Sequence, residues 1–289
     1  MNRKIHTLLA LAVSVALAPF DTGCGSSDDN VVSPERWVLS MSDEFDGEEG
    51  TSPNPAIWAF DIGGDGWGNN QLEFNTDRPE NVSLDGQGHL QIVALEESYM
   101  GNEYTSGRIK TKGLVEQRYG RFEARIKLPE GQGLWPAFWM LGANIDEVPW
   151  PDCGEIDIME FQGQRPERIF ASVHGPGYSG ADPISGDIEL SGGETFGDDF
   201  HVFAVEWDPG RITFFLDGEV VNSVVTGGEA FHIVRSTDVP SGAEWVFNNE
   251  FFVLLNLAVG GNLGGPVGPD TVFPAKMLID YVRFYERAQ

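Results

Sequence analysis

Short segments in which hydrophobic and polar residues alternate recur along the chain from Trp37 onward. Clusters of glycine, proline, asparagine and aspartate separate these segments. A period of two places successive side chains on opposite faces of a β-strand. No segment has a clear apolar period of 3.6 residues, so the pattern predicts an all-β protein. The clearest predicted strands are Leu90–Leu95, Gly120–Leu128, Ala137–Leu141, Arg168–Val173, His201–Trp207, Phe251–Val259 and Met277–Tyr285.

A β-hairpin is predicted between Ile212 and Val225. Two strand-like runs flank the pair Asp217-Gly218, and an Asp-Gly pair favours the tight turn of a two-residue hairpin loop. A single sheet built from so many strands would leave a large apolar face in water. We therefore predict two stacked antiparallel sheets.

Composition and charge narrow the classes of protein that fit this pattern. The chain is 41% hydrophobic and has eight tryptophans and 19 phenylalanines, which is ample for a large core and argues against intrinsic disorder. Its 45 acidic and 18 basic residues give a net charge of −27. This charge repels phosphate backbones and anionic membrane surfaces, so nucleic acid is excluded as a partner.

The N-terminus is typical of an exported protein. Basic residues within 1–4 precede an apolar run from Leu8 to Ala18, which is too short to span a bilayer and fits a secretory signal peptide. Two processing routes fit: cleavage after Ala18, or lipid attachment at Cys24 as in a bacterial lipoprotein. A flexible polar segment follows Cys24 and favours the second route.

These features predict a simple domain organisation. Residues 1–23 form a signal peptide of the lipoprotein type, 24–35 a polar tether, and 36–287 one folded domain. The expected protein is a monomer outside the cytoplasm, either extracellular or held at the cell envelope only by the lipid at Cys24. The second of the two cysteines, Cys153, is expected to be a small buried residue, so no disulfide framework is predicted.

Three acidic residues lie close together in the segment Gly154–Phe161. Regular strand alternation places Glu155 and Asp157 on one face and Glu160 on the core side. Burying a carboxylate in the core is costly, whereas a β-bulge near residues 158–159 adds one residue and returns Glu160 to the face of the other acids. The spacing therefore predicts three carboxyl groups on one open face.

Three such carboxyl groups suggest a specific chemistry. Like charges at close range cannot all ionise at neutral pH, so at least one pKa is raised and a carboxylic acid coexists with a carboxylate. Retaining glycoside hydrolysis needs this pair, at a separation of roughly 5 to 5.5 Å. The alternative is a polar strand face that serves only solubility. Solubility alone does not require a third acid at the one position that a single-residue bulge would return to this face.

The run Glu155–Glu160 resembles the catalytic signature of glycoside hydrolase family 16, in the bulged form found in laminarinases, agarases and carrageenases. The resemblance covers nearly all of Trp37–Tyr285 and is greatest to bacterial laminarinases. It implies a concanavalin A-like β-jelly roll with a substrate cleft on the concave face. The other segments that carry it are Ser42–Gly47, Tyr104–Arg108, Gly133–Met140, His174–Gly180, Phe203–Trp207 and Leu255–Gly261.

The resemblance also implies an activity and its residues. It makes Glu155 the nucleophile, Glu160 the general acid/base and Asp157 the residue that shares a proton with Glu155. The implied enzyme is a retaining endo-β-1,3-glucanase that hydrolyses neutral, laminarin-like β-glucans and needs no cofactor for its chemistry. The alternatives are a mixed-linkage β-1,3-1,4-glucanase, an agarase- or carrageenase-type relative, and a noncatalytic β-glucan-binding protein. The presence of both Glu155 and Glu160 favours an enzyme.

Five further residues are candidates for holding the sugar. Trp135 and Trp139 are four residues apart and share one strand face, where they either join the core or stack on pyranose rings. The resemblance favours stacking of the two tryptophans on pyranose rings. It also implies that Asn69 and Arg108 contact the substrate. His174 resembles a residue that borders the cleft, as a hydrogen-bond partner of the substrate or of Glu160. Its alternative role is packing at a strand end.

A structural calcium ion is also implied by the resemblance, away from the cleft. The matching ligands are the carbonyls of Glu44 and Gly88 and the carboxylate of Asp280, and oxygen-only ligands suit calcium. In the alternative, Asp280 caps a turn or is exposed between strand residues. The remaining histidines lack metal-ligand spacing, so no catalytic zinc site is predicted.

Overall fold

The structure, a computed structural model, describes residues 37–288. The predicted signal peptide (1–23), the lipid-attachment residue Cys24 and the tether (24–35) lie outside the described residues, so these assignments remain predictions. Among the described residues, no helix has the length and apolarity needed to cross a membrane.

Strands dominate the part of the chain that the structure describes, as the alternation predicts. Each of the seven predicted strands coincides with an observed one. The elements in chain order are β1 (Trp37–Asp43), β2 (Ala59–Phe60), β3 (Glu73–Asn75), β4 (Val82–Leu84), β5 (Leu90–Tyr99), β6 (Asn102–Ser106), β7 (Arg108–Lys110), β8 (Gly120–Lys127), β9 (Leu134–Gly142), β10 (Glu155–Phe161), β11 (Arg168–His174), β12 (Ile184–Glu189), β13 (His201–Asp208), β14 (Arg211–Val221), β15 (Val224–Arg235), β16 (Phe251–Val259), α1 (Gly261–Gly264) and β17 (Ala275–Arg287).

The strands form two sheets. The ten-stranded sheet has the order β15-β14-β13-β8-β17-β5-β6-β3, with β1 added beside β17 and β4 beside β5. The seven-stranded sheet has the order β12-β11-β10-β9-β16-β7-β2. Neighbours pair antiparallel except β3 and β6, which are parallel. The predicted all-β architecture of two largely antiparallel sheets is confirmed.

The apolar faces of the two sheets share one core. Phe122 and Trp207 of the larger sheet and Phe138 and Phe251 of the smaller sheet are fully buried in the same cluster. The rings of Trp207 and Phe251 meet edge to face, with centroids 5.0 Å apart, and so join the two sheets directly. Cys153 is buried and unpaired, as predicted.

The predicted hairpin exists, but its predicted turn is wrong. Strand β14 runs through Asp217-Gly218, and the turn to β15 lies at residues 222–223. Asp217 adopts a positive φ of 59° opposite Gly227 and Gly228, which also have positive φ. The Asp217 carboxylate accepts a hydrogen bond from the Val202 backbone N–H at 3.1 Å. The residues with positive φ therefore lie across from one another within the paired strands, and the Asp-Gly pair lies inside β14 instead of at the turn.

Candidate active site

The predicted bulge is present in β10. On the β9 side, Asp157 lies opposite Trp139 and Met159 lies opposite Phe138, so one residue of β10 is extra. The same irregularity appears against β11, between Asp157 and Glu160. Ile158 and Met159 are both buried in the core. The extra residue returns Glu160 to the face that carries the other two acids.

A cleft of about 970 Å³ lies over this face of the seven-stranded sheet. Its lining includes Glu155, Asp157 and Glu160. The structure also brings all five predicted sugar-contacting residues to the same cleft, which are Asn69, Arg108, Trp135, Trp139 and His174.

The two predicted tryptophans differ in their environments. Trp135 is only 8% exposed, and its indole N–H donates to Glu160 Oε1 at 3.1 Å. Trp139 is partly exposed, and its indole N–H donates to Asn256 Oδ1 at 2.8 Å. Both line the cleft, so neither is a residue of the core alone. Trp135 orients Glu160, whereas Trp139 presents more of its ring to the cleft.

His174 lies against Asp157 and Glu155. Its Nε2 is 3.0 Å from Asp157 Oδ2 and 4.0 Å from Glu155 Oε1, because His174 is directly opposite Glu155 in the pairing of β10 with β11. Its Nδ1 accepts a hydrogen bond from the Gly180 backbone N–H at 3.2 Å, which assigns the proton of the neutral ring to Nε2. The sequence-based expectation paired His174 with the substrate or Glu160; in the structure its nearest acids are the other two.

The environment raises the pKa values of all three acids. Burial, followed by the charge of Asp157, raises the pKa of Glu155 to about 8, against opposing contributions from His174 and Trp150. Burial and the charge of Glu155 raise the pKa of Glu160 to about 7. Burial and the charge of Glu160 raise the pKa of Asp157 well above its usual value. The acids therefore share protons near neutral pH, and a carboxylic acid and a carboxylate are present together.

Replacing Asp157 with asparagine is expected to stabilise the fold at alkaline pH. Folded Asp157 retains its proton to a higher pH than unfolded Asp157, so the free energy of unfolding falls as pH rises from about 4 through the raised pKa. Asparagine does not ionise, so the variant avoids this fall in the free energy of unfolding. We expect a gain on the order of 1–3 kcal/mol at pH 8 and little gain at pH 4, as measured by thermal unfolding. Replacing the exposed Asp182 with asparagine is the control; equal effects of the Asp157 variant at both pH values would contradict the raised pKa.

Asn262 of α1 forms two hydrogen bonds with Asn69. The Asn262 backbone N–H donates to the Asn69 carbonyl at 2.8 Å, and its side-chain amide donates to Asn69 Oδ1 at 3.3 Å. Asn262 Oδ1 in turn accepts from the Asn70 amide at 2.8 Å. Both oxygens of Asn69 are therefore engaged by Asn262, and Asn69 lines the cleft.

Several cleft residues were not predicted as site residues. Trp67 belongs to the same Gly-rich segment as Asn69, and Trp150 lies in the loop between β9 and β10. Asn256 interrupts the apolar run of β16, which is the sequence signal that would have identified it. Phe170 and Ser172 on β11 also line the cleft.

Two groups of residues bear on metal binding. Ligand atoms of Glu155, Asp157 and His174 lie within 4.8 Å of one another, so this group has the geometry to hold a cation. At the predicted calcium site, Asp280 Oδ2 is 2.6 Å from the Arg125 guanidinium, and the Glu44 carboxylate pairs with Arg283 at 2.7 Å. A calcium ion on Asp280 would compete with Arg125, and the site, with Gly88, remains a prediction.

Comparisons with known proteins agree with this geometry. The model of the glycosyl hydrolases family 16 matches residues 67–240. A β-glucanase of Rhodothermus marinus is 41% identical over 98% of this chain and 96% of its own. The structure of an endo-β-1,3-glucanase from Pyrococcus furiosus is 44% identical, with a TM-score of 0.79, and the match covers 88% of this chain and 96% of that one.

A second solved structure gives the same result. The catalytic domain of an endo-1,3-β-glucanase (laminarinase) from Thermotoga petrophila has a TM-score of 0.80 and 42% identity. The match covers 88% of this chain and 100% of that one. The family model matches more than half of the chain, and the bulged strand carries the acids that the resemblance requires. The chain belongs to glycoside hydrolase family 16.

Proposed function

We propose that this protein is a retaining endo-β-1,3-glucanase that acts on laminarin-like glucans. The observation that carries the proposal is the bulge in β10, which brings Glu155, Asp157 and Glu160 to one cleft face with protons shared among them. The names of the relatives support the substrate, since they describe a β-glucanase and two endo-β-1,3-glucanases at 41–44% identity. The chemistry requires two carboxyl groups and no cofactor.

In the first step, Glu160 is the general acid. In the active form of the coupled acids, the shared proton lies on Glu160 and Glu155 is ionised. The Trp135 indole holds Glu160 Oε1 in place. Glu160 gives its proton to the glycosidic oxygen, and the C–O bond electrons go to that oxygen. The Glu155 carboxylate attacks the anomeric carbon and forms a covalent glycosyl ester.

Asp157 controls the charge on Glu155 during this step. The charge of Asp157 raises the pKa of Glu155, so a proton held by Asp157 removes that charge and allows Glu155 to ionise, without being transferred to the substrate. In the second step, ionised Glu160 takes a proton from a water molecule, and the resulting hydroxide attacks the anomeric carbon. Glu155 leaves as a carboxylate, and the product retains the original configuration.

The extent of the cleft supports internal cutting of a polymer. Its lining runs from Ser185 on β12 across β11, β10, β9 and β16 to Arg108 on β7. Six adjacent strands about 4.8 Å apart span about 24 Å, which accommodates several glucosyl units. Apart from the three acids, Arg108 and His174, the polar and aromatic lining consists of tryptophan, phenylalanine, amide and hydroxyl side chains, which suits a neutral sugar. The net charge of −27 disfavours a sulfated one.

A substrate panel tests the proposed function. We expect purified protein to degrade laminarin faster than lichenan, agarose or carrageenan, and early products to be a ladder of oligosaccharides, as resolved by chromatography over time. Heat-inactivated protein is the control. Faster hydrolysis of lichenan would favour the mixed-linkage alternative, and binding to laminarin without cleavage would favour a noncatalytic glucan-binding protein. Early release of glucose alone would contradict internal cutting.

A further inference from the structure

Asp61 joins the cleft residue Arg108 to the edge of the seven-stranded sheet. It directly follows β2, and its backbone N–H donates to the Arg108 carbonyl at 2.9 Å. Its Oδ2 accepts a hydrogen bond from Arg108 Nε at 3.0 Å, and its Oδ1 contacts the Lys110 ammonium group. The side chains of Asp61 and Arg108 are 13% and 12% exposed. A largely buried carboxylate therefore bridges two cations of β7.

The Arg108 guanidinium lies over two aromatic rings. Its central carbon is 4.7 Å from the ring centroid of Trp67 and 4.8 Å from that of Trp139. A planar guanidinium stacks well on aromatic faces, whereas an ammonium group does not match this geometry. Because Arg108 occupies the face of Trp139 that is turned toward it, a pyranose ring can stack only elsewhere on that indole.

The terminal nitrogens of Arg108 are available to bind the substrate. Asp61 engages Nε, and the rings of Trp67 and Trp139 lie against the group. Within residues 37–288, the terminal nitrogens of Arg108 make no hydrogen bond, and the side chain lines the cleft. Burial lowers the pKa of Arg108, and the carboxyl groups of Asp61, Glu155 and Glu73 oppose this effect. A guanidinium carries five N–H donors and no acceptor, so its free edge can only donate.

We infer that Asp61 is a positioning residue for glucan binding: it holds Arg108 against Trp67 and Trp139, so that the terminal N–H groups of Arg108 donate to substrate hydroxyl oxygens. This inference rests on the proposed function and deepens it. Asp61 itself does not line the cleft. Its effect on the substrate is therefore transmitted through Arg108, and its loss should weaken binding more than it slows bond cleavage.

Steady-state kinetics on laminari-oligosaccharides test this role. We expect Asp61→Ala to raise KM about 10-fold while kcat changes by less than about 2-fold, because the lost contact binds ground state and transition state alike. Asp61→Asn keeps an oxygen acceptor for Arg108 Nε and should raise KM only about 3-fold. Lys110→Met is the matched control, since Lys110 contacts the same carboxylate but does not line the cleft. It should leave KM unchanged.

A double-mutant cycle separates positioning from general destabilisation. If Asp61 acts only through Arg108, the KM of the variant with both Asp61→Ala and Arg108→Ala equals that of Arg108→Ala alone. A KM equal to the product of the two single effects would overturn the inference. So would an unchanged KM in Asp61→Ala, or an equal increase in Lys110→Met. Failure of the wild-type protein to cleave any β-1,3-glucan would instead contradict the proposed function.

Discussion

Replacing Glu155 with glutamine is expected to reduce kcat on laminarin by about 10⁴-fold or more. Glutamine has nearly the same shape but cannot attack the anomeric carbon as an anion, so the covalent intermediate does not form. Glu155 faces the cleft opposite His174, and both lie on paired strands that do not depend on this carboxylate for their register. The fold and the cleft should therefore persist. Stopped assays of reducing ends would measure the loss.

Binding and a matched control complete this test. Isothermal titration of Glu155→Gln with laminari-oligosaccharides should show a Kd close to the wild-type KM, since the aromatic and amide lining is intact. Glu189→Gln, which changes a strand acid outside the cleft, should retain full kcat. Residual kcat within about 10-fold of wild type in Glu155→Gln would contradict its role as nucleophile.

Replacing Glu160 with glutamine is expected to produce a loss that depends on the leaving group. On laminarin, whose leaving group is a sugar hydroxyl, kcat/KM should fall about 10³-fold or more because no acid protonates the departing oxygen. On an aryl β-glucoside oligomer with an acidic phenol as leaving group, bond cleavage needs little protonation. The rate of glycosyl-enzyme formation, measured as the burst of phenol, should then fall by less than about 10-fold.

The pH profile gives a second check on the same variant. The pKa values of Glu160 and Glu155 are raised to about 7 and about 8, so the coupled pair holds one proton between these values, and wild-type activity on laminarin should decline as pH rises above about 8 and that proton is lost. With the activated aryl substrate, Glu160→Gln should lack this alkaline limb. An equal loss on both substrates, with the alkaline limb retained, would assign the acid role to another group.

The sequence predicted the chemistry of β10 more fully than its surroundings. Alternation along Glu155–Phe161, together with the cost of burying Glu160, requires an extra residue near Ile158, and the bulge is present. Both arguments are local to one strand. They succeed because the period of two and the polarity of each side chain leave a single low-energy arrangement.

Features set by contacts between distant segments were less predictable. Asp217-Gly218 has the composition of a tight turn, but it lies within β14, where Gly218 pairs with Gly227 of β15. The position of His174 beside Asp157 depends on the register between β10 and β11. Asp61 is separated from Arg108 by 47 positions. No pattern within either segment reveals that they meet.

The most direct test of the central claim is the configuration of the first product. Proton NMR of fresh laminarin hydrolysate, recorded before mutarotation, should show the β-anomer of the new reducing end appearing first and the α-anomer growing in later. Glu155 as nucleophile and Glu160 as acid and then base require this order. Initial appearance of the α-anomer would show direct displacement by water and would contradict the mechanism.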